Sequence, residues 1–237
     1  MSPNRRRHIE YRVTAGMISI ATTDGQAVPA YWAYPNMEIK FPGIGLLHDW
    51  WGLTHPIHTL STLFAQAGFS VIAPDWYEGH IAHSPQEALT LYKKYQSHRL
   101  DFVNASLSAL ESHHLSNAKV AVLGIGAGGA AAFEAALTRS DIEAAILISA
   151  FPQDYLDRLH LAKVPILAIY GQEDEYIHDA LIKKLEVGLK KDKQHRHQLL
   201  RIPEFGHEFL QSDQQVLQFQ EAGLLNIMIA FMQENFV

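Results

Sequence analysis

The stretch that decides the fold is Val120-Ala121-Val122-Leu123-Gly124-Ile125-Gly126-Ala127-Gly128-Gly129-Ala130-Ala131-Ala132-Phe133. It predicts a buried strand, a tight glycine turn and then a helix built from small residues. This is the setting of a nucleophile elbow, G-x-S-x-G, in which a reactive side chain sits on a strained strand-to-helix turn. Here the frame is G-x-G-x-G, and Gly126 stands at the reactive position. The stretch therefore predicts the fold more firmly than the reaction.

Strands and helices alternate on both sides of this stretch. Asp24-Gly25 between two alternating apolar runs predicts a hairpin. The other strands are expected near 43–48, 70–74, 142–150, 164–170 and 197–202, and the other helices near 54–67, 85–114 with a break at Ser97, 180–189 and 214–236. This order predicts an α/β fold: a sheet of about eight mostly parallel strands with helices on both faces. A chain of 237 residues fits a single domain, 1–237.

Composition and charge exclude several classes of function. The net charge is −6, so no electrostatic argument favours nucleic acid, and the Arg5-Arg6-Arg7 run is interpreted as a solvated tail. No apolar stretch approaches the length of a membrane span or of a secretory signal. The chain has no cysteine, which excludes disulfides and a thiol nucleophile. A cytoplasmic location is therefore expected, with no membrane partner.

Two further groups follow predicted strands at the edge of the sheet where ligands bind. Asp174 lies in the loop after the 164–170 strand, and His207 lies in the loop after the last strand. Ligands of open α/β sheets bind outside the carboxyl ends of the strands, so we expect these groups to lie near Gly126. The chain order of elbow, acid and histidine is also the order of a hydrolase triad.

The chain resembles the dienelactone hydrolases from about Tyr31 to its C-terminus. The resemblance rests on three segments, Leu46-Leu47-His48-Asp49-Trp50-Trp51-Gly52, Ala73-Pro74-Asp75-Trp76-Tyr77 and Gly124-Ile125-Gly126-Ala127-Gly128-Gly129. It implies an α/β-hydrolase fold with Asp174 as triad acid and His207 as triad base. Members of this family hydrolyse lactones and small esters, usually through a cysteine or serine.

Departures from the family pattern are as informative as the matches. Gly126 replaces the nucleophile, and Asp49 stands where dienelactone enzymes carry a glutamate. Those enzymes also bind the substrate carboxylate with two arginines. One would fall just after Tyr77, and the other would fall where Gln211 stands, but neither is present. We therefore do not expect the dienelactone reaction itself.

The remaining groups predict a site without an attacking atom. Asp174 would orient His207, and the backbone N–H groups of Trp50 and Ala127 would form an oxyanion hole. Asp49 would act as a second acid or base. The substrate pocket is expected to be lined by four side chains, His48, Trp51, Trp76 and Tyr77. A small cap segment near 78–98 would cover it.

Two functions remain open at this stage. In the first, the chain is a hydrolase of altered chemistry, in which His207 activates water or moves a proton for a small ester or lactone. In the second, it is a non-catalytic relative that binds a small molecule or a protein, because glycine relieves the strain of the elbow. A glycine introduced to inactivate an enzyme is a third alternative, although the missing arginines indicate wider divergence. Homodimer formation is left open.

Each candidate also has a structural interpretation. Gly126 could be an ordinary turn glycine, Asp174 a helix N-cap and His207 a loop histidine bonded to backbone. Asp49 could likewise be a cap, and the aromatic residues could be core. The chain has 14 histidines, and the pairs His55/His58 and His80/His83 have the spacing of metal ligands on a helix. No third ligand is fixed by spacing, so neither a metal nor a cofactor is predicted.

Overall fold

The computed structural model describes residues 10–153 and 155–236, and the Arg5–Arg7 run lies outside them. The strands are β1 Val13–Ala21, β2 Ala27–Pro35, β3 Phe41–Leu47, β4 Ser70–Pro74, β5 Ser116–Ile125, β6 Ala144–Ile148, β7 Ile166–Gly171 and β8 Gln198–Ile202. The α-helices are α1 His55–Gln66, α2 Pro85–Tyr95, α3 Arg99–Ser112, α4 Gly128–Thr138, α5 Asp179–Lys191, α6 Asp213–Glu221 and α7 Leu224–Asn235.

All eight strands form one sheet in the order β1-β2-β4-β3-β5-β6-β7-β8. The first two strands form the predicted hairpin, β2 also runs antiparallel to β4, and every other neighbouring pair is parallel. This confirms the predicted α/β class with about eight mostly parallel strands, and the fold is that of an α/β-hydrolase. The carboxyl ends of β3, β5, β7 and β8 consequently point to one edge of the sheet.

Both faces of the sheet are buried, and the apolar side chains of β5 pack alternately on the two faces. Val120 and Val122 pack with α3, α4 and α5 on one face, while Ala121 and Leu123 pack with α1, α6 and α7 on the other. Side chains along a strand alternate between faces, so a continuous apolar run marks a strand covered on both sides. Helices on both faces follow from that run, as the sequence predicts.

One predicted helix break is confirmed, and one predicted helix differs from the observed ones. The break expected near Ser97 is present as a short 3-10 turn, Gln96–His98, between α2 and α3. The single helix expected over 214–236 is wrong, because Gly223 takes the left-handed conformation at φ 78° and separates α6 from α7. A glycine adopts this conformation without the steric cost that a side chain incurs, so the chain turns there. Among the described residues, no helix is long and apolar enough to cross a bilayer.

The start of α4 packs directly on the end of β3, which brings the turn after β5 next to the loop after β3. A Cβ atom on Gly128 would lie 2.4 Å from the Leu47 carbonyl oxygen and 2.6 Å from that of His48. Only glycine allows this approach of helix to strand. The position of the 124–129 turn against the loop after β3 therefore depends on glycine, without a side chain, at position 128.

Replacement of Gly128 by alanine should destabilise the fold by about 3 kcal/mol, because backbone atoms of β3 would have to move. The matched control is Gly188→Ala in α5, whose Cβ meets only the end of the flexible Leu159 side chain. That variant should change stability by less than about 1 kcal/mol, since alanine also favours the helix. Urea unfolding of both variants measures the difference, and equal stabilities would contradict the packing argument.

Candidate active site

Gly126 forms the sharp turn between β5 and α4. Its φ of 50° is left-handed, and its N–H donates to the Ile148 carbonyl at 2.8 Å. Its own carbonyl accepts from the Gly129 N–H at 3.0 Å, at the beginning of the helix. The turn therefore leaves the next N–H group, that of Ala127, directed toward the edge of the sheet rather than into a helix bond.

The side chain of Asp49, from the loop after β3, fills the space in front of this turn. Its Oδ1 accepts from the Trp50 N–H at 2.7 Å and from the Ala127 N–H at 2.8 Å. Its Oδ2 accepts from the Gln211 amide at 3.3 Å. A Cβ on Gly126 would lie 2.1 Å from Oδ1. The carboxylate therefore occupies the volume that any side chain at 126 would need.

The Asp49 carboxylate is largely shielded from solvent, since only 8% of the residue is exposed. Burial raises its pKa, because the charged form loses hydration. The N–H groups of Ala127 and Trp50 act in the opposite direction, as does the nearby charge of His207, while Glu208 adds to the rise. The net pKa is above the ordinary value, so this carboxyl group takes up a proton more readily than an exposed aspartate does.

The Asp174–His207 pair predicted from the sequence is present. His207 Nδ1 donates to Asp174 Oδ2 at 2.9 Å, and the two side chains are only 7% and 1% exposed. Asp174 Oδ1 accepts from the N–H groups of Tyr176 and Ile177 at 2.9 and 2.7 Å. It does not cap α5, whose N-cap is His178. Oδ1 is thus fixed by backbone N–H groups, and Oδ2 orients the imidazole.

The pKa values of His207 and Asp174 move apart, because each group stabilises the charged form of the other. Burial alone would lower the pKa of His207, but the hydrogen bond and charge of Asp174, with Asp49 and Glu208, outweigh it, and the net pKa is raised. Burial alone would raise the pKa of Asp174, but His207 and the two N–H donors outweigh it, and the net pKa is lowered. The pair favours an ionised carboxylate beside a readily protonated imidazole.

The backbone of His207 is held by two contacts that the sequence did not reveal. Ser149 Oγ donates to the His207 carbonyl at 2.9 Å, and the His207 N–H donates to Glu175 Oε2 at 3.3 Å. Ser149 is 2% exposed and has a left-handed φ of 48°. Its position after β6 was visible in the sequence, but the partner that it binds lies 58 residues away.

A cavity of about 290 Å³ lies beside Gly126 and His207. Apolar and aromatic side chains dominate its wall. The full lining is Asp49, Trp50, Leu89, Tyr92, Gly126, Ala127, Ala130, Phe151, Tyr155, Tyr176, His207 and Glu208. Leu89 and Tyr92 belong to α2, within the segment predicted to cover the site. The arrangement suits a small, mainly apolar ligand with one polar group near His207.

Five of the predicted site residues meet at this cavity: Asp49, Trp50, Gly126, Ala127 and His207, with Asp174 behind His207. The four predicted pocket side chains do not line it. His48, Trp76 and Tyr77 are at most 1% exposed and lie in the core. Trp51 instead donates through Nε1 to Glu208 Oε1 at 3.2 Å. The pocket prediction for these four therefore needs correction.

His48 has a supporting position beneath the site. Its Nδ1 donates to the Asp49 carbonyl at 2.7 Å, and its Nε2 accepts from the Trp76 N–H at 3.1 Å. Burial lowers its pKa to about 4, so the ring is neutral and its two nitrogens match these two partners. The ring thereby ties the loop of Asp49 to the loop after β4, and the reason for its burial is structural.

Sequence reasoning missed most of the true cavity wall. Tyr92, Phe151, Tyr155 and Tyr176 line the cavity; Tyr92 lies in α2, Phe151 and Tyr155 lie in the segment after β6, and Tyr176 lies in the loop after β7. None belongs to a motif, so no local signal singles them out. Glu208 adjoins His207 in the sequence and was the one lining residue that its position could have suggested.

The histidine pairs considered as metal ligands are placed otherwise. His55 binds Asp213 at 2.9 Å, and His80 donates to the Tyr77 carbonyl. Among residues 10–153 and 155–236, the group of three with metal-ligating atoms close together is Asp192, His195 and His197. The Ile166 N–H donates to His197 Nδ1 at 3.0 Å, so Nε2 carries the hydrogen that Asp192 accepts. That tautomer presents no free lone pair to a metal.

The fold is that of an α/β-hydrolase, and Asp174 and His207 are hydrogen-bonded beside the cavity. The chain matches the dienelactone hydrolase family over residues 28–234, and it belongs to that family. It is similar to Protein usf of Aquifex pyrophilus, with 33% identity over 165 residues, which is 66% of this chain and 71% of the relative.

Two solved structures share the fold at low identity. A dienelactone hydrolase-like promiscuous phosphotriesterase from metagenomic libraries has a TM-score of 0.74 at 18% identity, covering 94% of this chain and 98% of that one. A cold-adapted esterase from an Arctic intertidal metagenomic library has a TM-score of 0.72 at 16% identity, covering 97% and 99%. At such identities the likeness concerns the fold alone.

Gly126→Ala should be far more destabilising than an alanine at another left-handed glycine. Gly223 has φ 78° and open space around its missing Cβ, so Gly223→Ala should cost only the conformational strain of about 1 kcal/mol. Gly126→Ala adds the clash with Asp49 and should cost several kcal/mol, on the order of 3 or more.

The double variant Gly126→Ala/Asp49→Gly tests the cause of that difference. Removal of the carboxylate should restore most of the stability lost in Gly126→Ala, which a double-mutant cycle of urea unfolding measures. If the two substitutions were simply additive, Asp49 would not be what excludes a side chain at 126.

Proposed function

We propose that this chain hydrolyses small carboxylic esters or lactones through a water molecule activated by His207. The observation that carries the proposal is the Asp174–His207 hydrogen bond of 2.9 Å beside a cavity whose elbow position is glycine. An acid–base pair with no side-chain nucleophile can still take a proton from water. The cavity beside His207 then holds the water and the substrate, and no serine or cysteine takes part.

Each residue has a stated role in this reaction. His207 takes the proton of the attacking water through Nε2, because Nδ1 is bound to Asp174. Asp174 holds the ring in this tautomer and stabilises the imidazolium that forms. His207 then returns the proton to the leaving alkoxide, so the acid and alcohol products leave the pair in its starting state.

The proposed oxyanion hole is formed by the N–H groups of Trp50 and Ala127. Both donate to Asp49 Oδ1, so an ester carbonyl must displace this carboxylate before they can stabilise its developing charge. A neutral carbonyl is a weaker acceptor than a carboxylate, so this exchange is unfavourable. We therefore expect slow turnover, confined to activated esters.

The cavity favours neutral substrates. Its lining contains the two carboxyl groups of Asp49 and Glu208 and no lysine or arginine. A second carboxylate on the substrate would be repelled there, in contrast to the dienelactone substrates of the family. Aromatic side chains on the wall, such as Phe151 and Tyr155, suit an aryl or short alkyl ester.

A binding role without turnover is the second candidate. The observation in its favour is the same carboxylate, because Asp49 occupies both the volume of a nucleophile and the two N–H donors. Such a chain would bind a small apolar ligand in the cavity and leave it unchanged. Measurement of turnover separates the two candidates directly.

His207→Ala should abolish the hydrolysis of aryl acetates, thioesters and small lactones by the purified protein. General-base catalysis contributes roughly 10²–10⁴-fold to a rate, so the variant should fall to the uncatalysed rate. His55→Ala, at an exposed histidine bound only to surface groups, should keep the wild-type rate. Equal rates for wild type and His207→Ala would favour the binding role instead.

The ester rate should rise with pH through an apparent pKa above the roughly 6.5 of a free imidazole. The reason is that His207 must be neutral to accept a proton, and Asp174 stabilises its charged form. Asp174→Asn should shift this limb to lower pH, because burial then acts on His207 with less opposing charge, and should also lower the plateau. A pH–rate profile that is unchanged in Asp174→Asn would contradict this assignment of the base.

A further inference from the structure

The position of Asp49 is not explained by ester hydrolysis, which it hinders. Its Oδ1 is held by two backbone N–H groups, whereas its Oδ2 accepts one hydrogen bond among the described residues, from the Gln211 amide at 3.3 Å. The carboxylate lines the cavity next to His207 and Gly126. It therefore stands where the nucleophile of an elbow would stand, with one oxygen bound and the other weakly held.

We propose that Asp49 is a covalent nucleophile for epoxides, and that the chain converts an epoxide to a diol through an ester of Asp49. This is a second activity beyond the hydrolysis of external esters, and it rests on the same activation of water by His207. A carboxylate is an established type of enzyme nucleophile for reactions that form an ester intermediate.

In the first step, a lone pair of Oδ2 attacks a ring carbon of the epoxide. A carbon–oxygen bond forms to Asp49, the carbon–oxygen bond of the ring breaks, and the ring oxygen leaves with the electron pair. Because attack is at a saturated carbon, no negative charge develops on a substrate carbonyl. The occupied N–H groups of Trp50 and Ala127 are thus no obstacle to this reaction, unlike that of an external ester.

The ring oxygen needs a proton donor, and the cavity offers phenols. Tyr92, in α2, lines the same cavity as Asp49. Beside them lies Tyr77, whose hydroxyl is fully buried and has no hydrogen-bond partner among the described residues. Burial and the nearby groups Asp49 and Tyr92 raise the pKa of Tyr77, so it remains a neutral phenol. We assign proton donation to the ring oxygen to Tyr92, with Tyr77 behind it.

In the second step, the two N–H groups become useful. Oδ1 is now the carbonyl oxygen of the Asp49 ester, and it is already bound to Trp50 and Ala127 at 2.7 and 2.8 Å. Water activated by His207 attacks Cγ, and these donors stabilise the oxyanion that forms on Oδ1. The oxygen that occupies the two donors before the reaction, Oδ1, is thus the same oxygen that carries the negative charge of the tetrahedral intermediate.

The protons and oxygen atoms balance over the cycle. The tetrahedral intermediate collapses, the bond from Cγ to Oδ2 breaks, and the leaving alkoxide takes the proton that His207 removed from water. The diol therefore carries Oδ2, and Asp49 retains the oxygen of the water. Asp49 is released as a carboxylic acid, and its proton returns to the phenolate formed in the first step. The sum is one epoxide and one water to one diol.

The test uses two epoxide probes, styrene oxide and 1,2-epoxyhexane, and the full chain. His207→Gln should still be alkylated but should not release the diol, so the peptide containing Asp49 should gain the mass of one epoxide per chain. Asp49→Asn, which keeps the shape of the side chain, should gain none. Glu208 carries the other carboxyl group of the cavity, so it is the control for the site of alkylation. The double variant Glu208→Gln/His207→Gln should accumulate the same adduct at Asp49 as His207→Gln does.

Isotope labelling gives a second readout. In a single turnover of the wild type in H₂¹⁸O, the diol should contain no ¹⁸O, and Asp49 should contain it afterwards. An adduct at another residue, no adduct with either probe, or ¹⁸O in the first diol would each overturn the proposal.

The outcome is distinguishable from that of ester hydrolysis. Asp49→Ala frees the Trp50 and Ala127 N–H groups, so it should raise the rate on aryl acetates several-fold while it abolishes diol formation. If wild type and His207→Ala were equally inactive on esters but His207→Gln formed the Asp49 adduct, the ester function would fail and the epoxide activity would stand. If ester hydrolysis depended on His207 but no adduct formed, only the epoxide activity would fail.

Discussion

The site is organised around the hydrogen bonds from two backbone N–H groups to one carboxylate oxygen of Asp49. One donor is the neighbour of Asp49, and the other is 78 residues away at the start of α4. The bond to Ala127 is available only because the turn at Gly126 is left-handed and carries no side chain. Gly126 and Asp49 therefore depend on each other. A side chain at position 126 would clash with Asp49, and a smaller side chain at position 49 would leave a void in front of Gly126.

Charge in the site is arranged around a single imidazole. Asp174, Asp49 and Glu208 all favour protonation of His207, and only Asp174 is bound to it directly. This arrangement stabilises the imidazolium form of His207, which the proposed activation of water requires. It also places a buried carboxylate whose pKa is raised next to a histidine whose pKa is raised, so the protonation of each group affects that of the other.

Much of the fold follows from local sequence because local rules determine it. The strand predicted at 70–74 has those bounds in the structure, and the hairpin at Asp24-Gly25 is present, since turn chemistry and apolar alternation act over a few residues. Gly223 was missed because a left-handed break inside an apolar helical pattern has no periodic signal.

The candidate site was predictable only where it coincided with motifs. The Asp174–His207 pair was found from two residues that follow strands, and the structure joins them. The contact between Asp49 and Gln211 spans 162 residues, and the aromatic wall comes from separate elements. Such contacts depend on how helices pack on the sheet, which the spacing of residues along the chain does not encode. The fully buried Trp76 shows the same limit, because aromatic residues suit a pocket and a core equally well.

The N–H groups of Trp50 and Ala127, which Asp49 occupies, bear on what chemistry an elbow with glycine at position 126 can support. In a serine or cysteine elbow, the attacking atom belongs to the enzyme, whereas the oxygen that enters the oxyanion hole belongs to the substrate. In the proposed epoxide reaction the Asp49 carboxylate supplies both atoms, because Oδ1 is bound to the two N–H donors and Oδ2 is the attacking oxygen. The negative charge that the hole stabilises is then present before the substrate arrives. Preorganised donors lower a barrier only for charge that develops further on the bound atom, and an ester of Asp49 meets this condition because its Oδ1 is neutral until water attacks.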